Sequence, residues 1–340
     1  MPSLRLTCLL AIAALLAAGD ATPKEEAPAP PAAAAAPAPA PQRVVNTGWL
    51  KAVETFAQSR GMAVADVGGG PVRARLLGGA AYPEVEKALE LGSQTLQGLE
   101  VWSGKNGVFL AEKPAEEDIL WLVVFPSADA YSGWVDFLQE KKITAMTDPG
   151  LTKKTSGFPG GRTLFVKAEA VKTIPLHYAV YGASCLSLDA YYRSRGPNPP
   201  PSWIREGCLS EMQRLLCGGT IRSTTIAYQL GTEPVLTENW GKEVAKLMRS
   251  NDKRAVSMSE IMRTSLDALA PVYYYQMWSG FCYVRGLCGA TKGPKNKFLA
   301  LLEATATGTS SDGAVKLVLG KTDPGLSGAW REWAMGTGAK

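Results

Sequence analysis

A chain of 340 residues, 46% hydrophobic and 20% charged, has enough apolar material for a substantial core and too much to be disordered throughout. Its 36 basic and 31 acidic residues leave a net charge of +5, scattered without a dense basic block. Such a distribution excludes an extended electrostatic footprint for nucleic acid.

The chain opens on what reads as a processing signal, residues 1–21. Arg5 supplies a positive n-region, "LTCLLAIAALLAA" (6–18) an apolar h-region, and "GDA" (19–21) small residues for cleavage after Ala21. The apolar run is too short for a comfortable bilayer span, and Cys8 lies inside it instead of just after it, which argues against a lipid anchor. No later segment holds 18 uninterrupted apolar residues. The mature chain is therefore expected to be exported, to a periplasmic or extracellular location, with no membrane span. Residues 22–42 contain seven prolines and nine alanines and should form a disordered, extended linker, so the folded part starts near Arg43.

The first folded part, residues 43–170, is expected to be a mixed α/β subdomain. "TGWLKAVETFAQSRG" reads as a helix closed by Gly61, and a longer helix follows from about Pro83 to Leu99. "GGGPVRARLLGG" (68–79) is Gly-rich but lacks the Gly-Lys-Ser/Thr end of a phosphate loop, and reads as a flexible loop. "DILWLVVFPS" (118–127) is a continuous apolar run rich in branched residues, and reads as a buried strand. Ser127 is placed to N-cap the helix after it. "DPGLTKKTSGFPGG" (148–161) reads as a loop and "RTLFVKA" (162–168) as a short strand. From Lys172 the periodicity is helical, with helices expected at about 174–192, 203–216, 239–249, 258–268, 271–287, 293–304, 312–319 and 324–336. The expected class is α+β: a small sheet in the first part, packed on a mainly helical second subdomain, 171–340.

Five cysteines remain in the mature chain: Cys185, Cys208, Cys217, Cys282 and Cys288. An odd number leaves at least one thiol unpaired within the chain, and none forms a Cys-x-x-Cys pair. Buried small hydrophobes, with one disulfide at most, are the favoured reading over metal ligation. The aromatic run Tyr273–Tyr275 with Trp278 is read as core.

On the helix "TIPLHYAVYGASCLSLDAYYRSRG" (173–196), His177, Tyr181, Cys185, Leu188 and Tyr192 share one stripe. A proline-rich loop leads to "PSWIREG" (201–207), with Glu206 expected in the first turn of a helix. There a carboxylate interacts well with the helix dipole, while Trp203 packs and Gly207 permits close helix contact.

This arrangement resembles the gluzincin superfamily of zinc metallopeptidases, more narrowly the peptidase-MA-like domains of exported bacterial proteins. "PSWIREG" is similar to that family's Trp-x-x-Glu-Gly segment, which would put Glu206 in the place of its third zinc ligand. "LVVFPSADAYSGWVDFL" (122–138), "YYYQMWSGFCYVRGL" (273–287) and "GLSGAWREWA" (325–334) resemble its strand–helix unit, the helix behind its site and its closing helix. The resemblance covers roughly residues 95–340. The family's His-Glu-x-x-His is degenerate, in one of two registers. "HYAVY" keeps His177 and puts Tyr178 and Tyr181 in the other places; "YGASC" offers Tyr181, Gly182 and Cys185. Both lack the general-base glutamate and at least one histidine, and His177 is the chain's one histidine. Catalytic zinc needs three good protein ligands and an open position, so no cofactor is expected, and Glu206 would ligate only if a metal were bound.

The expected function is therefore that of an inactive metallopeptidase homologue, binding a peptide or protein partner through a vestigial cleft or serving structurally. The candidate residues of that site are Glu206, His177, Tyr181, Cys185, Trp203 and Gly207. The alternative is an active hydrolase built on Cys185, or on an atypical metal site with Glu206.

Overall fold

The computed structural model describes residues 46–80, 82, 84–105, 107–109, 119–143, 148–160, 162–168, 174–219, 221–222, 236–237, 239–250, 252–265, 271–289 and 295–336. The expected signal peptide (1–21) and linker (22–42) lie outside the described residues, as do residues 266–268 and 293–294 of two expected helices.

The first half builds a five-stranded sheet. Helix α1 (Asn46–Ser59) precedes β1 (Val64–Val67) and β2 (Val72–Leu77); α2 (Val85–Ser103) leads to β3 (Leu120–Phe125). Helices α3 (Ala128–Glu140) and α4 (Pro149–Lys154) precede β4 (Gly157–Gly160) and β5 (Thr163–Lys167). The strand order is β1-β2-β3-β5-β4. The inner pairs β2/β3 and β3/β5 are parallel, and the edge pairs β1/β2 and β4/β5 are antiparallel. Parallel neighbours require crossover connections, which α2 and α3 supply.

Both faces of this sheet are covered. Along β3 the residues alternate: Trp121, Val123 and Phe125 pack with Trp49, Val53 and Phe56 of α1 and with Tyr131, Trp134 and Leu138 of α3. Leu120, Leu122 and Val124 face the other way, toward α2 and the helix α5 (Ile174–Arg195). A strand buried on both faces reads as an unbroken apolar run, which is what "LWLVVF" is. Ser127 caps α3 as its sequence implies, its Oγ accepting the Ala130 N–H at 3.1 Å.

Two stretches read as loops are regular structure. The Gly-flanked "VRARLL" is the inner strand β2: Val72, Ala74 and Leu77 are buried, and Arg75 is held by Asp66 (2.7 Å) and Glu54 (2.9 Å) beneath the Trp121 ring. The segment 148–161 contains α4 and the edge strand β4. Its glycines are there for lack of space: a Cβ on Gly157 would lie 2.3 Å from the Phe165 carbonyl oxygen.

Among the described residues after β5, the regular structure is helical apart from a two-stranded ladder of β6 (Ile221–Arg222) and β7 (Leu236–Thr237). Helix α6 is Ser202–Leu216, α7 Trp240–Arg249, α8 Met258–Arg263 and α9 Pro271–Cys288. Then come α10 (Lys297–Ala306), α11 (Ser311–Leu319) and α12 (Gly325–Met335). The α+β class and its division into a small mixed sheet and a helical second half are as the sequence implies. The largest apolar cluster lies in this half and includes Trp203, Leu209, Trp240, Tyr274, Met277, Trp278, Phe281 and Trp330. Tyr274 and Trp278 thus belong to the core. No helix among the described residues is long and apolar enough to cross a membrane.

Helix α5 joins the two halves. Tyr178, Ala179, Ala183 and Leu186 face the sheet, while Val180, Tyr181, Cys185, Leu188, Tyr191 and Tyr192 face the helical cluster. Gly182 lets it approach β5 closely, since a Cβ there would sit 3.0 Å from a Leu164 methyl.

Candidate functional site

Helices α5 and α6 carry all six candidate residues. The proline-rich turn between them ends at Pro201, which precedes α6 without a side-chain cap. Glu206 is one position beyond the first helical turn, which contains no acidic residue. The dipole interaction expected for it is correspondingly weak, because that effect falls off within the first turn.

Four polar groups meet where the two helices pack, and Arg205 is at their centre. Its Nη2 donates to Cys185 Sγ at 2.8 Å. Its Nε lies 3.8 Å from Asp189 Oδ1 and its Nη1 4.0 Å from Glu206 Oε1. Cys185 Sγ in turn lies 3.8 Å from Asp189 Oδ2. Cys185 and Glu206 are buried, at 0% and 4% exposure, whereas the Arg205 side chain keeps an edge in solvent. Burial pushes the Cys185 thiol up to about 12, outweighing the opposing pull of Arg205. The thiol is thus protonated, accepting from the guanidinium and directing its S–H toward Asp189. Arg205 stays well above its ordinary value against its own burial, with Cys185 Sγ accepting from it and the carboxylates of Asp189 and Glu206 beside it.

His177 is not part of this cluster. It precedes Cys185 by eight residues of one helix, roughly 12 Å along the axis. Its backbone carbonyl instead accepts from Gln213 Nε2 at 3.2 Å, at the far end of α6. Tyr181 lies between, on the same stripe, its ring edge-on to Tyr178 at 6.5 Å. Trp203 and Gly207 serve packing. Trp203 is fully buried, and its Nε1 donates to Ser311 Oγ at 3.0 Å, tying α6 to α11. A Cβ on Gly207 would lie 2.2 Å from Phe281 Cβ, so glycine is what permits α6 and α9 to touch.

The donor set here does not fit a catalytic zinc ion. Zinc would require the Cys185 thiolate, while burial holds the thiol protonated, and the space among Cys185, Asp189 and Glu206 is taken by a guanidinium. Among the described residues, no group of three or more His, Cys, Asp or Glu side chains is arranged to hold a metal. The five cysteines Cys185, Cys208, Cys217, Cys282 and Cys288 are free thiols.

A second polar cluster escapes the sequence reading. Glu211, one turn beyond Gly207 and 2% exposed, accepts from Arg214 Nε and Nη2 at 2.8 and 2.9 Å and from Trp278 Nε1 at 3.0 Å. Arg285 Nη2 is 3.7 Å away, and the Arg285 guanidinium lies 4.7 Å over the Trp102 ring. Burial raises Glu211, but Arg214, Trp278 and Cys282 more than reverse this and leave it below the usual carboxylate range. The one local signal was Glu211 and Arg214 three apart on a helix. The partners Trp278 and Arg285 come from α9 and have no signature in the local sequence.

Compared with known proteins, the chain matches no family model and no curated protein sequence.

Proposed function

We propose that this chain is an exported, peptidase-like protein without zinc chemistry, acting as a structural or binding module. The observation that carries this reading is Arg205: a covalently held cation supplies the positive charge around which Cys185, Asp189 and Glu206 gather. A gluzincin-like ancestry accounts for the Trp203-x-x-Glu206-Gly207 segment. In the present packing Trp203, Glu206 and Gly207 lie in helix–helix interfaces. Burial of His177, Tyr181, Cys185, Trp203 and Glu206, all at 9% exposure or less, favours the structural role over peptide binding between α5 and α6. The alternative of a thiol hydrolase is weakened by the same burial, because a protonated, enclosed Cys185 is a poor nucleophile.

The test is the metal content of the purified full chain by elemental mass spectrometry, beside Glu206→Ala. No stoichiometric metal in either protein is the expected result. About one zinc per chain, lost in Glu206→Ala, would overturn the proposal and call for peptidase assays.

A further inference from the structure

We infer that a cavity between α8, α11 and the turn leading into α12 binds a small carboxylate bearing a short apolar group. The cavity has a volume of about 240 Å³ and shares no residue with the α5–α6 cluster. It is at the small end of ligand sites, which suits a ligand of a few carbons.

The chemistry of its walls is divided. Met262, Val315 and Leu326 form an apolar floor, and all three are largely buried. The polar side carries three cations, Arg263, Lys316 and Lys321, against two carboxylates, Asp312 and Asp323. Both carboxylates are engaged within the protein. Asp312 Oδ2 accepts from Arg263 Nε at 2.8 Å and Nη2 at 2.7 Å, and from the buried Ser259 Oγ at 3.1 Å. Asp323 is held by the Ser327 hydroxyl, which also accepts the Met258 N–H at 2.8 Å. Neither Lys316 nor Lys321 enters an ion pair among the described residues.

With Arg263 paired to Asp312 and Asp323 held only by a neutral hydroxyl, the two lysines leave a net single positive charge to a ligand, and it borders an apolar floor. An anion alone would leave the floor unmatched, and an apolar group alone would leave the lysines unanswered. A carboxylate with a short aliphatic body answers both. Such a group occurs in a free short-chain acid or at the C-terminal residue of a peptide, and the two are separable by experiment.

The full chain would be titrated calorimetrically with 4-methylpentanoate, as the free acid, and with N-acetyl-leucine, as the peptide C-terminus. Their neutral amides and inorganic phosphate are the controls. The expected result is saturable binding of at least one acid, the tighter probe naming the source, with the amides and phosphate far weaker. The double variant Lys316→Glu, Lys321→Glu changes two exposed side chains and should keep the wild-type urea midpoint, while binding the acid at least about tenfold more weakly. The inference fails if neither acid saturates at millimolar concentration, if an amide or phosphate binds as well as its acid, or if the folded double variant keeps full affinity.

Discussion

A guanidinium and a zinc ion are both cations that thiols and carboxyl groups gather around, but the guanidinium needs no deprotonated thiol and leaves no position for an activated water. Arg205 and Glu206 are neighbours in "PSWIREG", and Asp189 is one helical turn after Cys185. All of these residues could be read in the sequence. The two-turn distance of His177 from Cys185 follows from their spacing on one helix. What could not be read is that the α5–α6 packing sets Arg205 against Cys185. The same holds for Glu211, whose buried charge is balanced by residues from α6 and α9. Replacing it makes a clear prediction. Glu211→Gln keeps the shape but leaves Arg214 and Arg285 without their anion, and should cost about 2–3 kcal/mol at neutral pH. Because Glu211 is held below the usual carboxylate range in the folded state, its contribution is complete above the unfolded value. It is lost as pH falls through the lower, folded one. Urea midpoints taken from about pH 7 downward should therefore fall more steeply below about pH 5 for the wild type than for Glu211→Gln. Parallel curves would show that the carboxylate contributes no charge-dependent stability.

Among elements, helices declared themselves by period, and α6, α9 and α11 fall within a residue or two of where the sequence places them. The strands were harder. In β2 the arginines and flanking glycines hide an alternation of Val72, Ala74 and Leu76 against Arg73 and Arg75, both lying over the Trp121 ring. Only the ion pairs of Arg75 with Glu54 and Asp66 make that face compatible with burial, and they depend on α1 and β1. In β4 the glycines mark crowding against Phe165 and Trp49, where sequence habit assigns them to a turn. Contact between α6 and α9 rests on Gly207 in the same way. Gly207→Ala should destabilise the fold by about 2–3 kcal/mol through overlap with Phe281. Phe281→Gly alone removes both the packed ring and the Cβ at the contact, and should cost about 4–6 kcal/mol with the helix penalty of glycine included. If the overlap is the cause, the double variant will be about 1–2 kcal/mol more stable than the two losses combined. Simple additivity in chemical denaturation would place the cost of Gly207→Ala elsewhere.

For the molecule as a whole, Arg43–Lys340 forms one compact unit, although the sequence suggests a sheet part and a helical part. The reason is α5, which contributes one side to the sheet and the other to the helical cluster. The two parts should consequently unfold together. Trp49, Trp121 and Trp134 report on the sheet half, and Trp203, Trp240, Trp278 and Trp330 on the helical half. Fluorescence and far-ultraviolet circular dichroism should follow the same single urea transition. Two separated midpoints would mean that α5 parts from one neighbour first. The double burial of α5 also governs how its sequence is free to drift. An ordinary surface helix such as α7, with Trp240, Val244, Leu247 and Met248 buried and Lys242, Glu243 and Lys246 exposed, has a side on which substitutions pass almost unnoticed. Along the middle of α5 there is no such side, because residues 177–188 are all buried. Over three turns each position answers to a neighbour, so the segment is held by packing and can change only in concert with the sheet or with α6.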